Sequence, residues 1–551
     1  MLAEIVGGAP QPSLLLADAS RLCANVQVAA HTGAVVQHRH RSDWALLAAA
    51  GAGLFVTAAD AYVVASVVPA LVTDFGIPFD HLERVTPVLS GFLVGYVTAI
   101  PLAGDLGSGR SRDRAYLGAL VVFTVGSLLT ATAGGLEWLV LGRFAQGAGG
   151  GALVPIAFSA AAETFAGGER TLAVGMASAL QELGSLVGPA VGAVIAVSAS
   201  AYGAWRAIFW VNAALGVVCA AAYALAIRRR EAPNTEERRP ADVTGALLLG
   251  LGLGLLVLAI YPQDAGRSVF NDFAVPLVAA AAAVLALFAW RVARTRHSWL
   301  PRHLLRDRAF VSAAGTNFLI GSALVIMLVE IPILARVVFG LDELGSAGLL
   351  SWFMAAIPAG ALAGGWAVER MPQGLRWISC AGLLLPATAF VLMASWGADE
   401  LGRRLWIISE PGLELVLCGF GFGAVIAPLL ARMFGRAARS ERGAVSAVAV
   451  LSRTAGMLIG LACLSSVGLH RFYELLHAGP AVTALPTSPE FLRQVAAAAA
   501  WATESFLAEY RQIFAAGAAL SFAAALLALL AFGPAAEARP APPSARRTAR
   551  G

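Results

Sequence analysis

The stretch Gln181-Glu182-Leu183-Gly184-Ser185-Leu186-Val187-Gly188-Pro189-Ala190-Val191-Gly192 sits inside an apolar run that extends over 172–199. A run of that length is enough to cross a hydrocarbon core of about 30 Å as a helix. Lipid offers no partner for open backbone groups, so a helix is the form such a run must take there. Gly184, Gly188 and Gly192 recur every four residues, which lines them along one helix face and lets a neighbouring backbone come close. Gly147 and Gly151, and Gly456 and Gly460, repeat the spacing in other runs; for most of these glycines packing is the sufficient reading. Glu182 is different. An ionisable group at mid-membrane depth costs about 2.5–3.5 kcal/mol, so its presence needs a reason.

Working outward, similar apolar runs occur fourteen times, from 45–71 to 511–533. The 551 residues could by length alone hold roughly three or four soluble domains. However, hydrophobic residues make up 58% and charged residues 13%, against about 25% charged in an ordinary globular domain, and the mean hydropathy is +0.74. The chain therefore reads as an all-α polytopic membrane protein with fourteen transmembrane helices. Its 39 basic residues are all Arg and none is Lys. That excludes a phosphate-loop Lys, a Schiff-base Lys and a Ser/Lys pair, and with them ATP-powered export by this chain alone.

Arginines set the orientation. Arg110, Arg112 and Arg114, then Arg228 to Arg230, then Arg291 to Arg308, then Arg432 to Arg442 fall in alternate loops together with the two tails. The positive-inside rule makes those loops and both termini cytoplasmic, in the inner (plasma) membrane of the cell. Loop lengths then divide the chain into a tail (1–43), a six-helix half (44–228) and a linker holding an inserted two-helix hairpin (229–308). A second six-helix half (309–533) and a tail (534–551) follow. Two six-helix halves with an inserted hairpin are what an internal repeat would give.

Five ionisable residues lie within spans: Asp60, Glu182, Arg453, Arg143 and Glu330, the last towards the outer end of its helix. Static ion pairs that lock helices are one reading of them. The other is that Asp60 or Glu182 titrates during work, because burial favours the neutral acid. Arg453, in the second half, is placed to pair with either acid when the halves close. No Gly-x-Ser-x-Gly elbow, no His-Glu-x-x-His helix and no clustered metal ligands occur. The five cysteines are scattered and read as packing residues, so no metal, cofactor or catalytic residue is expected. The basic loops are explained by membrane orientation, which leaves no case for nucleic acid.

Several stretches resemble the major facilitator superfamily, in particular its fourteen-span drug:proton antiporter branch. They are Leu141-Gly-Arg143-Phe-Ala-Gln146-Gly147-Ala-Gly149 in span 4, Gly184 to Gly192 with Pro189 in span 5, and Asp60-Ala-Tyr-Val-Val followed by Pro69 in span 1. The loop from Gly104 to Arg112 stands where the superfamily's loop 2–3 motif belongs, but Ser108 occupies the place of its Asp and Ser111 that of a second Gly. Either Asp105 or Asp113 substitutes in the latch that this Asp normally makes, or the latch is weaker. A closer similarity covers nearly the whole chain. Gln181-Glu182-Leu-Gly-Ser, Trp205-Arg-Ala-Ile-Phe-Trp210-Val-Asn212 and Gly456-Met-Leu-Ile-Gly460 are similar to the family of mycobacterial triacylglyceride exporters that work with a periplasmic lipoprotein. This resemblance implies a major facilitator fold, proton-coupling roles for Asp60, Glu182 and Arg453, and a contributing role for Arg143. It also implies conformational roles for Gly104, Ser108, Arg112, Gln146, Gly147, Gly184, Gly188, Pro189 and Gly192. Glu330 is an additional candidate.

Two local features fit a lipid substrate. The flanks of the segment between spans 13 and 14, Gly468 to Leu476 and Pro489 to Arg511, read as helix, which predicts helical extensions beyond the outer leaflet. Segment 397–411 has a β-like core ending in Glu410-Pro-Gly412, which predicts a short external hairpin. The expected function is proton-coupled export of triacylglyceride-like lipids or other lipophilic molecules. The expected partners are protons, the membrane and a periplasmic lipoprotein. The alternatives are a polyspecific multidrug:proton antiporter and, from another class, a non-transporting scaffold or a lipid-modifying membrane enzyme.

Overall fold

The computed structural model describes residues 42–531 apart from 62, 65–69, 79–83, 106–108, 166, 199–203, 229–241, 263, 296–299, 398–399, 401–403, 406–407, 436–440 and 481–488. The predicted tails and the first linker, with Ser108, lie outside the described residues. What is described is helical, with one small exception. The helices are α1 (Ser42–Ala61), α2 (Thr86–Asp105), α3 (Gly109–Ala131), α4 (Leu136–Thr164), α5 (Gly167–Ser198), α6 (Ala204–Arg228), α7 (Val243–Ile260), α8 (Ala274–Arg294) and the short α9 (Arg302–Arg306). They continue with α10 (Arg308–Val337), α11 (Glu343–Arg370), α12 (Leu375–Met393), α13 (Glu410–Phe434), α14 (Arg442–His477) and α15 (Pro489–Ala531). The exception is the predicted hairpin before α13, with β1 (Arg404–Leu405) antiparallel to β2 (Ile408–Ser409) and Leu405 opposite Ile408.

Among the described residues, twelve helices are long and apolar enough to cross a membrane. The expected count of fourteen is therefore not reached on that measure. The two long helices outside the twelve are α4 and α5, whose lengths of 29 and 32 residues would suffice. In α4 the stretch from Arg143 to Gly151, with Gln146 and its glycines, dilutes the apolarity that marks a span.

Helix starts are set by short polar side chains that take up the orphan N–H groups of a first turn. Asp242 accepts from Gly245 N at 2.9 Å at the start of α7, Asp307 from Ala309 N at 2.9 Å at α10, and Asp342 from Gly345 N at 2.7 Å at α11. Asp242 also receives Arg291 Nε at 2.9 Å, which ties the two helices of the inserted hairpin at the arginine-rich face.

The helices pack twice in the same pattern. In the first six, α2 lies against α4 and α3 against both α4 and α6; in the last six, α11 lies against α13 and α12 against both α13 and α15. The two sets meet through α2 on α14 and α5 on α11. Lipid is as apolar as a leucine side chain, so this packing depends on close backbone approach more than on expulsion of water. A β-carbon at Gly147 would meet the Phe92 carbonyl, one at Gly184 the Phe55 carbonyl and one at Gly188 the Ala59 carbonyl. Helix α7 lies against α2 and α14, with Gly250 on Thr98 and Leu253 and Val257 packed with Leu458. Its partner α8 faces outward, with Val275 82% exposed.

At 1.5 Å per residue, the 36 residues of α14 and the 43 of α15 are about 54 and 64 Å long, far beyond a bilayer core. The predicted extensions are therefore present as continuous helix. Their shared face is aromatic: Phe472 meets Phe506 with centroids 4.2 Å apart, and Tyr510 meets Phe514 at 5.8 Å. The loop between α7 and α8 docks on this extension. Ser466 Oγ donates to the Val269 carbonyl, His470 Nδ1 lies 2.7 Å from the Ala265 carbonyl, and Ala265 is buried with Phe472 and Tyr473.

Candidate functional site

The centre of the site is an acid with no access to solvent. Asp60 on α1 and Arg143 on α4 are both fully buried, and Arg143 Nη1 donates to Asp60 Oδ2 at 2.8 Å. The second carboxylate oxygen is also taken: Asn212 Nδ2 on α6 donates to Asp60 Oδ1 at 2.5 Å, and Gln146 Nε2 on α4 does so at 3.1 Å. Gln146 is itself oriented from both sides. Its Oε1 accepts from Arg143 Nη1 at 2.9 Å, and its Nε2 also donates to Ser127 Oγ at 2.8 Å. The guanidinium stacks on Phe92, 4.3 Å from the ring centroid, while its Nε and Nη2 have no hydrogen-bond partner among the described residues. This is a compact network of four helices around one negative charge, of the kind in which each member holds its neighbour's geometry.

Placement requires the glycines. Gly147 lies one residue beyond Gln146 and allows α4 to press against α2, which brings Phe92 under the guanidinium. Gly184 and Gly188 seat α5 against α1 around Asp60. Gly192 is buried and Pro189 stands inside α5.

Next to this network is a cavity of about 870 Å³ including its mouth, lined by α1, α2, α4, α5, α10 and α14. A smaller lobe of about 420 Å³ between α5, α10, α11, α13 and α14 adjoins it, the two sharing Ser185, Leu328 and Arg453. Leu, Val, Ile, Met and Phe side chains form most of both walls. Arg143 and Gln181 line the larger lobe, and Asn317 lines the smaller.

The sequence-predicted residues divide accordingly. Asp60, Arg143 and Gln146 come together, and Arg453 joins them across the cavity. The sequence places Arg453 to pair with either Asp60 or Glu182 when the halves close; of these two acids, Asp60 is held here by Arg143, from its own half, because the close contacts of α1 with α5 and of α2 with α4 place α4 beside it. The side chain of Glu182 lies outside the described residues. Arg112 is buried on α3 beside Asp113, which accepts from Tyr223 Oη at 3.0 Å. Gly104 is the penultimate residue of α2, and its surroundings are outside the description. Glu330 is not among the groups that hold Asp60. It lies beside Tyr510, whose hydroxyl donates to the Glu330 carbonyl at 3.3 Å, and within electrostatic reach of the buried Glu509.

Sequence reasoning missed the role of Asn212, a polar residue alone in an apolar span whose position was the available signal. It also missed Ser127, Thr130 and Glu509. At the face opposite the arginine-rich one, Asp74 accepts from Arg206 Nη1 at 2.6 Å and Trp205 Nε1 at 3.0 Å. The Arg206 hydrogen bond, then that of Trp205, holds the Asp74 carboxyl below the usual carboxylate range.

Comparison with known proteins bears on this geometry. The pattern of the Major Facilitator Superfamily matches residues 50–461. A triacylglyceride transporter of Mycolicibacterium hassiacum is 36% identical over 512 residues, covering 91% of this chain and 94% of that protein. A triacylglyceride transporter of Mycobacterium tuberculosis is 34% identical over 498 residues, covering 88% and 94%. Among solved structures, a bacterial homologue of the human lysosomal transporter Spinster, inward-facing, aligns with a TM-score of 0.57 at 15% identity, covering 90% of this chain and 97% of its own. The peptide-transporter-family member PepTSo aligns with a TM-score of 0.55 at 17% identity, covering 89% and 97%. At that identity, these two show the fold alone.

Proposed function

Since the chain belongs to the Major Facilitator Superfamily and is a multi-pass membrane transporter, we propose that it is a proton-coupled exporter of triacylglyceride-like lipids. The carrying observation is the sealed Asp60–Arg143 pair in the wall of a largely apolar cavity. A buried carboxylate is tolerable while its cation stays; protonation removes the charge and frees Arg143, changing the balance of forces among α1, α4 and α6. A proton or ligand shifts a two-state transporter only through different affinities for the two states, and an acid on one helix whose partners come from two others has such a difference built in. The walls of Leu, Val, Met and Phe favour a lipophilic cargo, since a hydrophilic one would need more convergent polar groups.

In this proposal Arg453, on the cavity wall, and Glu182 are further coupling residues, the arginine-rich face is cytoplasmic, and the long α14 and α15 shelter lipid above the outer leaflet. A periplasmic lipoprotein would be the acceptor. The relatives named as triacylglyceride transporters support the cargo. The test is reconstitution into liposomes with an imposed pH gradient, following labelled triolein and internal pH together. Triolein movement that requires the gradient, and is lost in Asp60→Asn, is the expected result. Parental, gradient-driven movement in Asp60→Asn would remove the coupling claim. Dye efflux without triolein movement would favour the multidrug reading.

A further inference from the structure

Away from the cavity, three guanidinium groups lie over exposed indole rings. Arg294 stands over Trp290 on α8 at 5.6 Å, Arg370 over Trp366 at the end of α11 at 5.6 Å, and Arg376 over Trp377 at the start of α12 at 5.3 Å. The last two pairs flank one short turn, Pro372–Gly374. Two crossings, α10 and α11, separate this turn from the arginine-rich segment before α10, which puts it on the same face. The apolar spans stop at Val368 and resume at Leu375, so both arginines stand where hydrocarbon gives way to headgroups. Trp366 and Trp377 are 55% and 66% exposed, which at that depth means contact with lipid, the favoured place of an indole at a membrane interface.

Neither Arg370 nor Arg376 has an ion-pair partner among the described residues, and Arg376 Nε is buried with no hydrogen-bond partner there. Counting Glu369, whose side chain lies outside the described residues, the segment 369–377 carries two arginines against one acid. Arg376 also stands at the unfavourable end of a helix dipole. It is the second residue of α12, whose first turn has no acidic residue and no side-chain cap. The start of a helix carries partial positive charge, which disfavours a cation and favours an anion. Stacking uses the face of a guanidinium and leaves its in-plane N–H groups for an oxyanion. We propose that Arg370 and Arg376 hold the phosphate of an anionic phospholipid of the surrounding bilayer, with Trp366 and Trp377 against its glycerol and upper acyl chains. A zwitterionic lipid carries its own ammonium beside the phosphate and gains less from two arginines. The site is separate from the cavity and stands whatever the cargo is. Its occupant ties the α11–α12 end of the second half to the headgroup layer.

The experiment is titration of the purified full-length protein, followed by native mass spectrometry, with dioleoyl phosphatidylglycerol, with dioleoyl phosphatidylcholine, and with phosphatidylglycerol in competition with glycerol 3-phosphate. The first phosphatidylglycerol should bind about tenfold tighter than the first phosphatidylcholine, the scale of two arginines near one anionic headgroup. In Arg370→Gln with Arg376→Gln that ratio should fall towards one. In Arg294→Gln, which removes a single guanidinium stacked in the same way, it should be kept. Equal binding of the two lipids by the parent protein overturns the proposal. A tenfold ratio kept in the double variant places the anionic lipid at other arginines and overturns the site. An equal loss in Arg294→Gln shows a diffuse field of positive charge and overturns it as well. Glycerol 3-phosphate displacing the lipid at comparable concentration overturns the lipid occupant in favour of a soluble anion. Photo-crosslinking of a diazirine-bearing phosphatidylglycerol to the parent protein decides the matter without any variant: crosslinks should fall in 366–377, and a map that leaves out this segment overturns the assignment.

Discussion

Arg143 Nη1 lies 2.8 Å from Asp60 Oδ2, and neither side chain has any exposed surface. Such a pair is held as much by what would follow its breaking as by its own attraction. Removing one member strands the other charge, at about 3–5 kcal/mol. Arg143→Gln should therefore lower the thermal midpoint strongly, and Asp60→Asn likewise. The double variant should lose clearly less than the sum of the two, since no charge is then stranded. Thermal unfolding of the four proteins in one detergent gives the coupling energy; additive losses would show that the pair is not the stabilising unit.

Asn212 supplies a neutral donor to the same carboxylate at 2.5 Å. A hydrogen bond to a charged group contributes about 1.5–3 kcal/mol. Asn212→Leu should cost about that much, and in the liposome assay should displace the pH at which transport is half-maximal, because one stabiliser of the ionised acid is gone. Loss of a stabiliser raises the acid's affinity for its proton, so the displacement is towards higher pH. An unchanged midpoint in a folded Asn212→Leu protein would show that this acid does not set the pH response.

The fold was more legible in the sequence than the site, for a physical reason. Lipid forces every crossing segment to be both apolar and helical, so the spans stood out. The length of α14 and α15 followed from flanks without helix breakers. Asp60 was legible because a charge in such a run is costly. Its partner was not, since Arg143 is 83 positions away and is delivered by glycine-mediated contacts that only the packed structure specifies. Asn212 carries no charge and so raised no alarm. Glu509 was not singled out in the flank from Pro489 to Arg511, because nothing in the sequence says that α14 packs over it at Gly468.

Glycine at 147 is a requirement of shape. A β-carbon there would collide with the Phe92 carbonyl, which is backbone and cannot swing aside. Overpacking of a tight interface costs about 1–3 kcal/mol. Gly147→Ala should destabilise by that amount and weaken transport, because α2 and its Phe92 move off the guanidinium. Gly348→Ala, where a β-carbon meets open space, is the matched control and should behave as the parent does. Equal melting of the two variants would show that the α2–α4 contact has slack.

Asp74, outside the membrane spans, makes a pH-dependent tie to Trp205 and Arg206 at the start of α6. The Asp74 carboxyl is held below its ordinary value, first by the Arg206 hydrogen bond and then by that of Trp205. A lowered folded-state value means that the stabilisation is complete above the unfolded value of about 3.9, and disappears as pH falls through the folded one. Asp74 is 39% exposed, so solvent screening keeps the effect small,. Asp74→Asn should therefore lower the melting temperature at neutral pH only slightly. The gap to the parent should close as the pH is taken below about 4. A gap that widened on acidification would mean that Asp74 is not the group stabilised there.

The docked loop between α7 and α8 makes the last prediction. Val269 and Ala265 offer carbonyls to Ser466 and His470 of α14, and Ala265 is buried against Phe472 and Tyr473. These contacts attach the loop to the C-terminal part of α14, so the inserted hairpin and α14 should move as one body. Ser466→Ala with His470→Ala removes two polar attachments worth about 0.5–1.5 kcal/mol each while leaving the apolar contact. Amide exchange in 264–272 should then speed several-fold, with α7 and α14 themselves unchanged, as a local opening requires. If exchange in the loop stayed at the parental rate, the apolar seat of Ala265 alone would be holding it, and Ala265→Asp, which puts a charge into that seat, would be the variant to release it.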